Sequence, residues 1–335
     1  MNGERPIVLT GIKPTGELHL GNYLGVIKPA IEAAEKGKSY FFVADLHALN
    51  QEKDPKKLSQ YIRSVAAAWL ASGLDPNKNI FYRQSDIKEI GELSVILSAV
   101  TAKGLMNKSH AYKAFRDRNV EAGKDPDSGI NMGLFTYPIL MAADILAMQA
   151  EIVPVGKDQV QHVEIARDIA EAFNKAYNGQ YLTLPRYIIE SEVSAVPGID
   201  GRKMSKSYGN TIPLFTSPGN WRKVIKKIVT DSSPIGAIEH PEDSTVFKIY
   251  KSVAGHEESE LLLTELRNGN ARWGEAKDRL ALAIESRFSS MNERYLEWMN
   301  SPDKIKQVFE NGKKEAEPVA RKTLESVKEA VGIGY

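Results

Sequence analysis

The sequence predicts an α/β fold, a doubly wound parallel sheet over residues 1–210 followed by an all-helical region over 211–335. Three observations carry this expectation. Short apolar runs alternate with helical patterns from Ile7 to Gly179. Strand-like runs cease after Ser207. Beyond them, Leu280, Ile284, Phe288, Met291, Tyr295 and Trp298 recur on one face of a long helix.

Ile7-Val8-Leu9-Thr10 reads as a buried strand closed by Gly11 and a Pro14-Thr15-Gly16 turn, with a helix starting near Leu20. The second strand is residues 39–44. Asp54 and Pro55 supply an N-cap and a first-turn proline for a helix to about Ala71. A third strand covers residues 79–83, before a helix through about Val100. Residues 102–130 break the pattern with Lys108, Lys113, Arg116 and Arg118, and read as a long functional or mobile loop. An apolar helix over Gly133–Met148 follows, then a strand at 152–155. The next helix is expected to open at Asp158 and end at Gly179. No internal repeat is visible, and the domain boundary falls near Thr211.

At 42% hydrophobic and 26% charged, the 335-residue chain can bury a sizeable core. It lacks an apolar run of membrane-spanning length, and Met1 to Pro6 is too short and polar to begin a signal peptide, so a cytoplasmic location is expected. Cysteine is absent, which excludes disulfides and thiolate metal sites. The net charge of +1 argues against bulk electrostatic binding of nucleic acid. Any RNA contact must use local patches such as Arg222, Lys223, Lys226 and Lys227. The remaining histidines, His110, His162, His240 and His256, show no metal-ligand spacing, and no protein metal site is expected.

Two stretches carry the chemistry. Thr15 to Asn22 is a glycine-bearing loop that enters a helix, where free backbone N–H groups and the positive helix end suit a phosphate. It matches neither a dinucleotide fingerprint nor a Gly-x-x-x-x-Gly-Lys phosphate loop. A plain crossover turn is the alternative. Lys203-Met204-Ser205-Lys206-Ser207 places two ammonium groups on a small-residue loop able to swing onto a polyphosphate, or else forms a solvated basic linker.

Together they resemble the paired signatures of the class I aminoacyl-tRNA synthetases. His19-Leu20-Gly21-Asn22 stands where that family has His-Ile-Gly-His, with Asn22 replacing the last histidine; residues 203–207 reproduce its second signature. Thr136 to Ile145, followed by Val153 to His162, resembles the tryptophanyl members. Tyr137, Met141 and Asp144 are spaced to share a helical face and to wall a flat aromatic pocket with one acceptor. Asp144 could instead pair with a basic neighbour.

The resemblance implies activation of L-tryptophan by ATP with Mg²⁺, then transfer to tRNA(Trp) by a homodimer, with no membrane or DNA partner. His19, Asn22, Lys203 and Lys206 would act in catalysis. ATP would lie against Lys13, Pro14, Thr15, Gly21 and Asn22 on one side, against Gly156, Lys157 and Asp158 on another, and against Val196 and Lys203, Met204, Ser205, Lys206 and Ser207. Lys13 departs from the glutamine of many bacterial relatives. Tryptophan would meet Leu9, Gly11, His47, Tyr137, Met141 and Asp144, with Val153, Val155 and Gln159. Residues 1–210 would be catalytic, and 211–335 an anticodon-binding unit whose last helix can pack back. A tyrosyl-tRNA synthetase and a catalytically silent RNA-binding paralogue remain the alternatives.

Overall fold

The computed structural model describes residues 6–34, 38–189, 196–230 and 238–334, without the Asp158 side chain. Five parallel strands form one sheet: β1 (Ile7–Ile12), β2 (Lys38–Val43), β3 (Ile80–Arg83), β4 (Ile152–Pro154) and β5 (Arg186–Ile188). Their order is β3-β2-β1-β4-β5. The chain builds outward from β1 to β3, then returns to the other side of β1 at β4. That reversal opens a crevice at the carboxyl ends of β1 and β4, the position where open parallel sheets bind ligands.

Strand alternation sorts side chains onto two faces. Phe41, Val43 and Phe81 join one apolar cluster with α4 (Pro55–Ala71). Tyr40, Phe42 and Tyr82 join a second cluster under α5 (Glu89–Ser98), α8 (Met132–Ala147) and α9 (Val160–Ala176). Asp54 caps α4, its Oδ1 accepting from the backbone N–H groups of Lys56 and Lys57. The first helix is interrupted: α1 (Leu20–Asn22) passes through a π turn at Tyr23–Ile27 into α2 (Lys28–Ala34). Such turns concentrate at functional sites.

Among the described residues after Ser207 the long elements are helices: α10 (Pro218–Ile225), α11 (Thr245–Val253), α12 (His256–Arg267), α13 (Trp273–Met299) and α14 (Pro302–Val331). The first apolar cluster runs across position 211, joining Leu18 and Leu20 to Ile212, Leu214 and Phe288. Helix α14 covers the otherwise open edge at β3. Phe309 packs on Phe81 with ring centroids 5.4 Å apart, and Arg321 and Lys328 pair with Glu89 and Glu92 of α5. A Cβ at Gly312 would lie 1.9 Å from the Phe81 carbonyl oxygen. Gly312→Ala therefore has to lift the helix off the strand, and should lower unfolding stability by about 3 kcal/mol. A urea midpoint unchanged from the parent would refute this close approach.

Three expectations are corrected, and one strand is added. Residues 102–130 are not one long loop but carry α6 (Lys103–Met106) and α7 (His110–Glu121). Helix α7 is mostly solvated, held by Tyr112 edge-on to Phe135 and by the Asn119 amide donating to the Pro126 and Ser128 carbonyls. Asp158 does not open α9: it lies within a 3₁₀ turn at Lys157–Gln159, and Gln159 occupies the N-cap position. The end of α9 is turned by Asn178 at φ 51°, one residue before Gly179. Strand β5 was not expected, because its three exposed residues show no apolar alternation.

Candidate active site

The two signature loops meet. Leu20 N–H donates to the Ile212 carbonyl at 2.9 Å and Leu214 N–H to the Leu18 carbonyl at 3.0 Å, so His19 stands opposite Pro213 in an antiparallel bridge. Lys206 Nζ reaches across to donate to the Thr15 carbonyl at 2.7 Å. At the same junction Gly21 leaves no spare room. A Cβ there would sit 3.1 Å from His19 Nδ1 and 3.5 Å from the Met204 sulfur. Gly16, at φ 86°, turns the backbone under Lys206.

His19 is only 8% exposed, and its backbone N–H donates to Asn22 Oδ1 at 3.1 Å. Asn22 thus closes the turn with its carbonyl oxygen, while its amide NH₂ takes no part in that bond. Burial, reinforced by the charge of Lys206, lowers the His19 pKa to about 4. The imidazole is neutral at pH 7. An unfolded chain takes up this proton below about pH 6.5, whereas the folded one does so only near 4. Stability should therefore fall by about 3 kcal/mol as pH drops from 6.5 to 4. Urea titrations across that range should show a flatter profile for His19→Asn, and an unaltered slope would contradict the neutral buried ring.

The second loop is shaped by a residue that motif reasoning missed. Asn210, 2% exposed, accepts from Ser205 N–H at 2.8 Å and donates to Asp200 Oδ1 at 2.7 Å and to the Lys203 carbonyl at 3.2 Å. Met204 N–H donates to the carbonyl of buried Val196 at 3.0 Å, and Ser207 lies in a 3₁₀ turn with Lys206. Both Lys206 and Lys13 keep solvent contact, and partial desolvation by their neighbours lowers the pKa of each, opposed at Lys206 by nearby Glu17. Pro14 is buried between Lys13 and Thr15.

The second group of candidates surrounds α8. Asp144 is 1% exposed; Gln84 Nε2 lies 2.8 and 2.9 Å from its two oxygens, and His47 Nε2 lies 2.9 Å from Oδ2. Burial raises the Asp144 pKa, countered by His47 and Gln84. Tyr137 is separately engaged, its hydroxyl 3.2 Å from Ser109 Oγ and 3.3 Å from His162 Nε2. Met141 and Val155 are half-buried, and Leu9 and Val153 are buried. Gly11 faces the Phe42 ring, which an added Cβ would approach to 2.4 Å. Gly156 and Lys157 are exposed just beyond β4, and Gln159 N–H donates to the Gly156 carbonyl at 2.9 Å. Gln161 ties the basic segment to α9, accepting from His110 N–H and donating to the Lys108 carbonyl, both at 3.0 Å. No cluster of three metal-ligating side chains occurs among the described residues, nor is any helix among them long and apolar enough to cross a membrane.

The family described as tRNA synthetases class I (W and Y) matches residues 1–289. The chain belongs to that family. A protein of Pseudomonas aeruginosa named tryptophan–tRNA ligase is 48% identical over 97% of this chain and 73% of its own length. A Neisseria meningitidis serogroup A protein of the same name is 47% identical over 97% of each chain. A solved tryptophanyl-tRNA synthetase of Campylobacter jejuni, complexed with ADP and tryptophan, superposes with a TM-score of 0.88 at 40% identity, covering 97% of this chain and 99% of that one. The doubly wound sheet thus has the fold of the solved Campylobacter synthetase.

Proposed function

We propose that this chain is a tryptophan–tRNA ligase, which activates L-tryptophan with ATP and then esterifies the 3′-terminal adenosine of tRNA(Trp). The observation that carries it is identity of 47% across 97% of both chains with the Neisseria ligase, in a protein whose signature loops are in contact. Bound tryptophan and ADP in the Campylobacter structure support the substrates.

In the first step a tryptophan carboxylate oxygen bonds to the α-phosphorus while the bond from that phosphorus to the bridging oxygen breaks. Pyrophosphate leaves with the electron pair. In the second, the adenosine hydroxyl attacks the adenylate carbonyl, its proton is lost and AMP departs. No protein nucleophile is needed, so catalysis is positioning and charge stabilisation. Neutral His19 and the Asn22 amide hold the nucleotide as uncharged partners, with Lys13, Pro14, Thr15 and Gly21 beside them. Lys203 and Lys206 meet the departing pyrophosphate, held in place by Met204, Ser205 and Ser207. Gly156, Lys157 and Asp158 flank the nucleotide where β4 ends. Mg²⁺, when bound, would supply neutralisation of phosphate charge, and the described residues offer it no cluster of three ligands of their own. Asp144 takes the indole N–H, with Leu9, Gly11, His47, Tyr137, Met141, Val153, Val155 and Gln159 around the substrate.

Residues 211–335 serve as the anticodon-binding unit of a cytoplasmic homodimer. Amino-acid-dependent pyrophosphate exchange tests the proposal: tryptophan should support it and tyrosine should not. Exchange with tyrosine alone would make the chain a tyrosine ligase, and exchange with neither would leave a silent paralogue.

A further inference from the structure

Gln84 lies at the end of β3, is 0% exposed, and has no place in either signature. Its side chain is fixed from both ends. Oε1 accepts from Leu46 N–H at 3.0 Å, which orients the amide and aims Nε2 at the Asp144 carboxylate, 2.8 Å from Oδ1 and 2.9 Å from Oδ2. The support beneath it is equally determined. Asp45 Oδ1 accepts from Leu46 N–H at 3.1 Å and from Ser85 N–H at 3.0 Å, and Ser85 Oγ donates to Asp45 Oδ2 at 2.5 Å. The β3 end and the start of α3 (Asp45–Ala48) are thereby locked together around Gln84.

We propose that Gln84 is a specificity-positioning residue, a neutral donor that holds buried Asp144 as an oriented anion so that it accepts the indole N–H. This rests on Asp144 being the acceptor for the indole. An ionised carboxylate only accepts, and its oxygens offer about four lone-pair directions. Gln84 and His47 use three, leaving one on Oδ1 for a ligand donor. A protonated carboxyl would instead present its own O–H, for which an indole N–H, a donor only, offers no acceptor. Burial favours that protonated form, and the Gln84 donor opposes it.

Gln84→Met keeps the volume and removes the donor. The KM for tryptophan in pyrophosphate exchange should rise about 10- to 100-fold, as for loss of a hydrogen bond to a charged group, with kcat and the KM for ATP within about threefold. The variant's KM should also rise more steeply than the parent's as pH falls, because burial raises the Asp144 pKa and the Gln84 donor no longer opposes it. His47, Asp45 and Tyr82 are the titratable groups facing Asp144, and parent and variant share them, so the difference between the two profiles reports on Asp144. Gln84→Glu should recover tryptophan binding partially at low pH, where the glutamic acid can donate. A merely structural role would lower the melting temperature and move both KM values together, overturning the inference. So would a tryptophan KM within twofold of the parent. Asp144→Ala separates the two failures. If Asp144→Ala abolishes the preference for tryptophan while Gln84→Met is silent, only the role of Gln84 falls; if Asp144→Ala keeps that preference, the reading beneath it falls.

Discussion

Lys206→Ala should lower kcat for tryptophan activation by about 10²- to 10³-fold while leaving the KM for tryptophan within about threefold. The ammonium group stands on the second loop, 2.7 Å from the Thr15 carbonyl of the first, in a partly desolvated setting that strengthens its field. A backbone carbonyl is a weak partner for a cation, so the group can turn to a phosphate that carries growing charge. Stabilisation of that kind appears in the transition state more than in the bound substrate, and so is felt in kcat. Lys206→Arg would keep the charge but replace a compact ammonium by a planar fork, and should recover only part of the rate. Stopped-flow measurement of adenylate formation resolves these effects. A loss seen only in the KM for ATP would reduce Lys206 to a ground-state anchor.

Asp144→Ala should lower kcat/KM for tryptophan by about 10³-fold and narrow its advantage over tyrosine and phenylalanine. Two costs combine in this variant. The indole loses its acceptor, and Gln84 and His47, now without the carboxylate they both face, are left with buried polar atoms to satisfy. On the proposed role of Asp144, the site should reject analogues for the same reason, because a ligand without a suitably placed donor leaves a desolvated anion unpaired. Competition between tryptophan and tyrosine in the exchange assay measures the ratio directly. An unchanged preference would remove Asp144 from the account of specificity.

Much of this was legible in the residues, and the exceptions share a cause. Strands β1, β2 and β4 are continuous apolar runs, because parallel strands are covered on both faces. Helix α4 declares itself through Asp54 and Pro55. Helix α7 does not, since it buries little beyond Tyr112 and Asn119 and its sequence carries no apolar stripe. Strand β5 exists through pairing with β4 alone, which no local pattern encodes. The signature loops were readable as spaced letters, yet their contact depends on backbone pairing between residues 18–20 and 212–214. Gln84 and Asn210 were invisible for a related reason. A single amide side chain has neither period nor spacing, and its importance comes from burial that the folded chain imposes. His47 and Asp144 are 97 residues apart in sequence, and only the fold makes them hydrogen-bond partners.

The central claim, that the meeting loops and the Asp144 site serve transfer of tryptophan to tRNA, is tested most directly by charging. Purified protein, ATP, Mg²⁺ and unfractionated bacterial tRNA should attach labelled tryptophan to the 3′ adenosine of the tRNA that reads the tryptophan codon. Labelled tyrosine should remain unattached. Attachment of tyrosine in preference to tryptophan, or tryptophan charging undiminished in Lys206→Ala, would contradict the account.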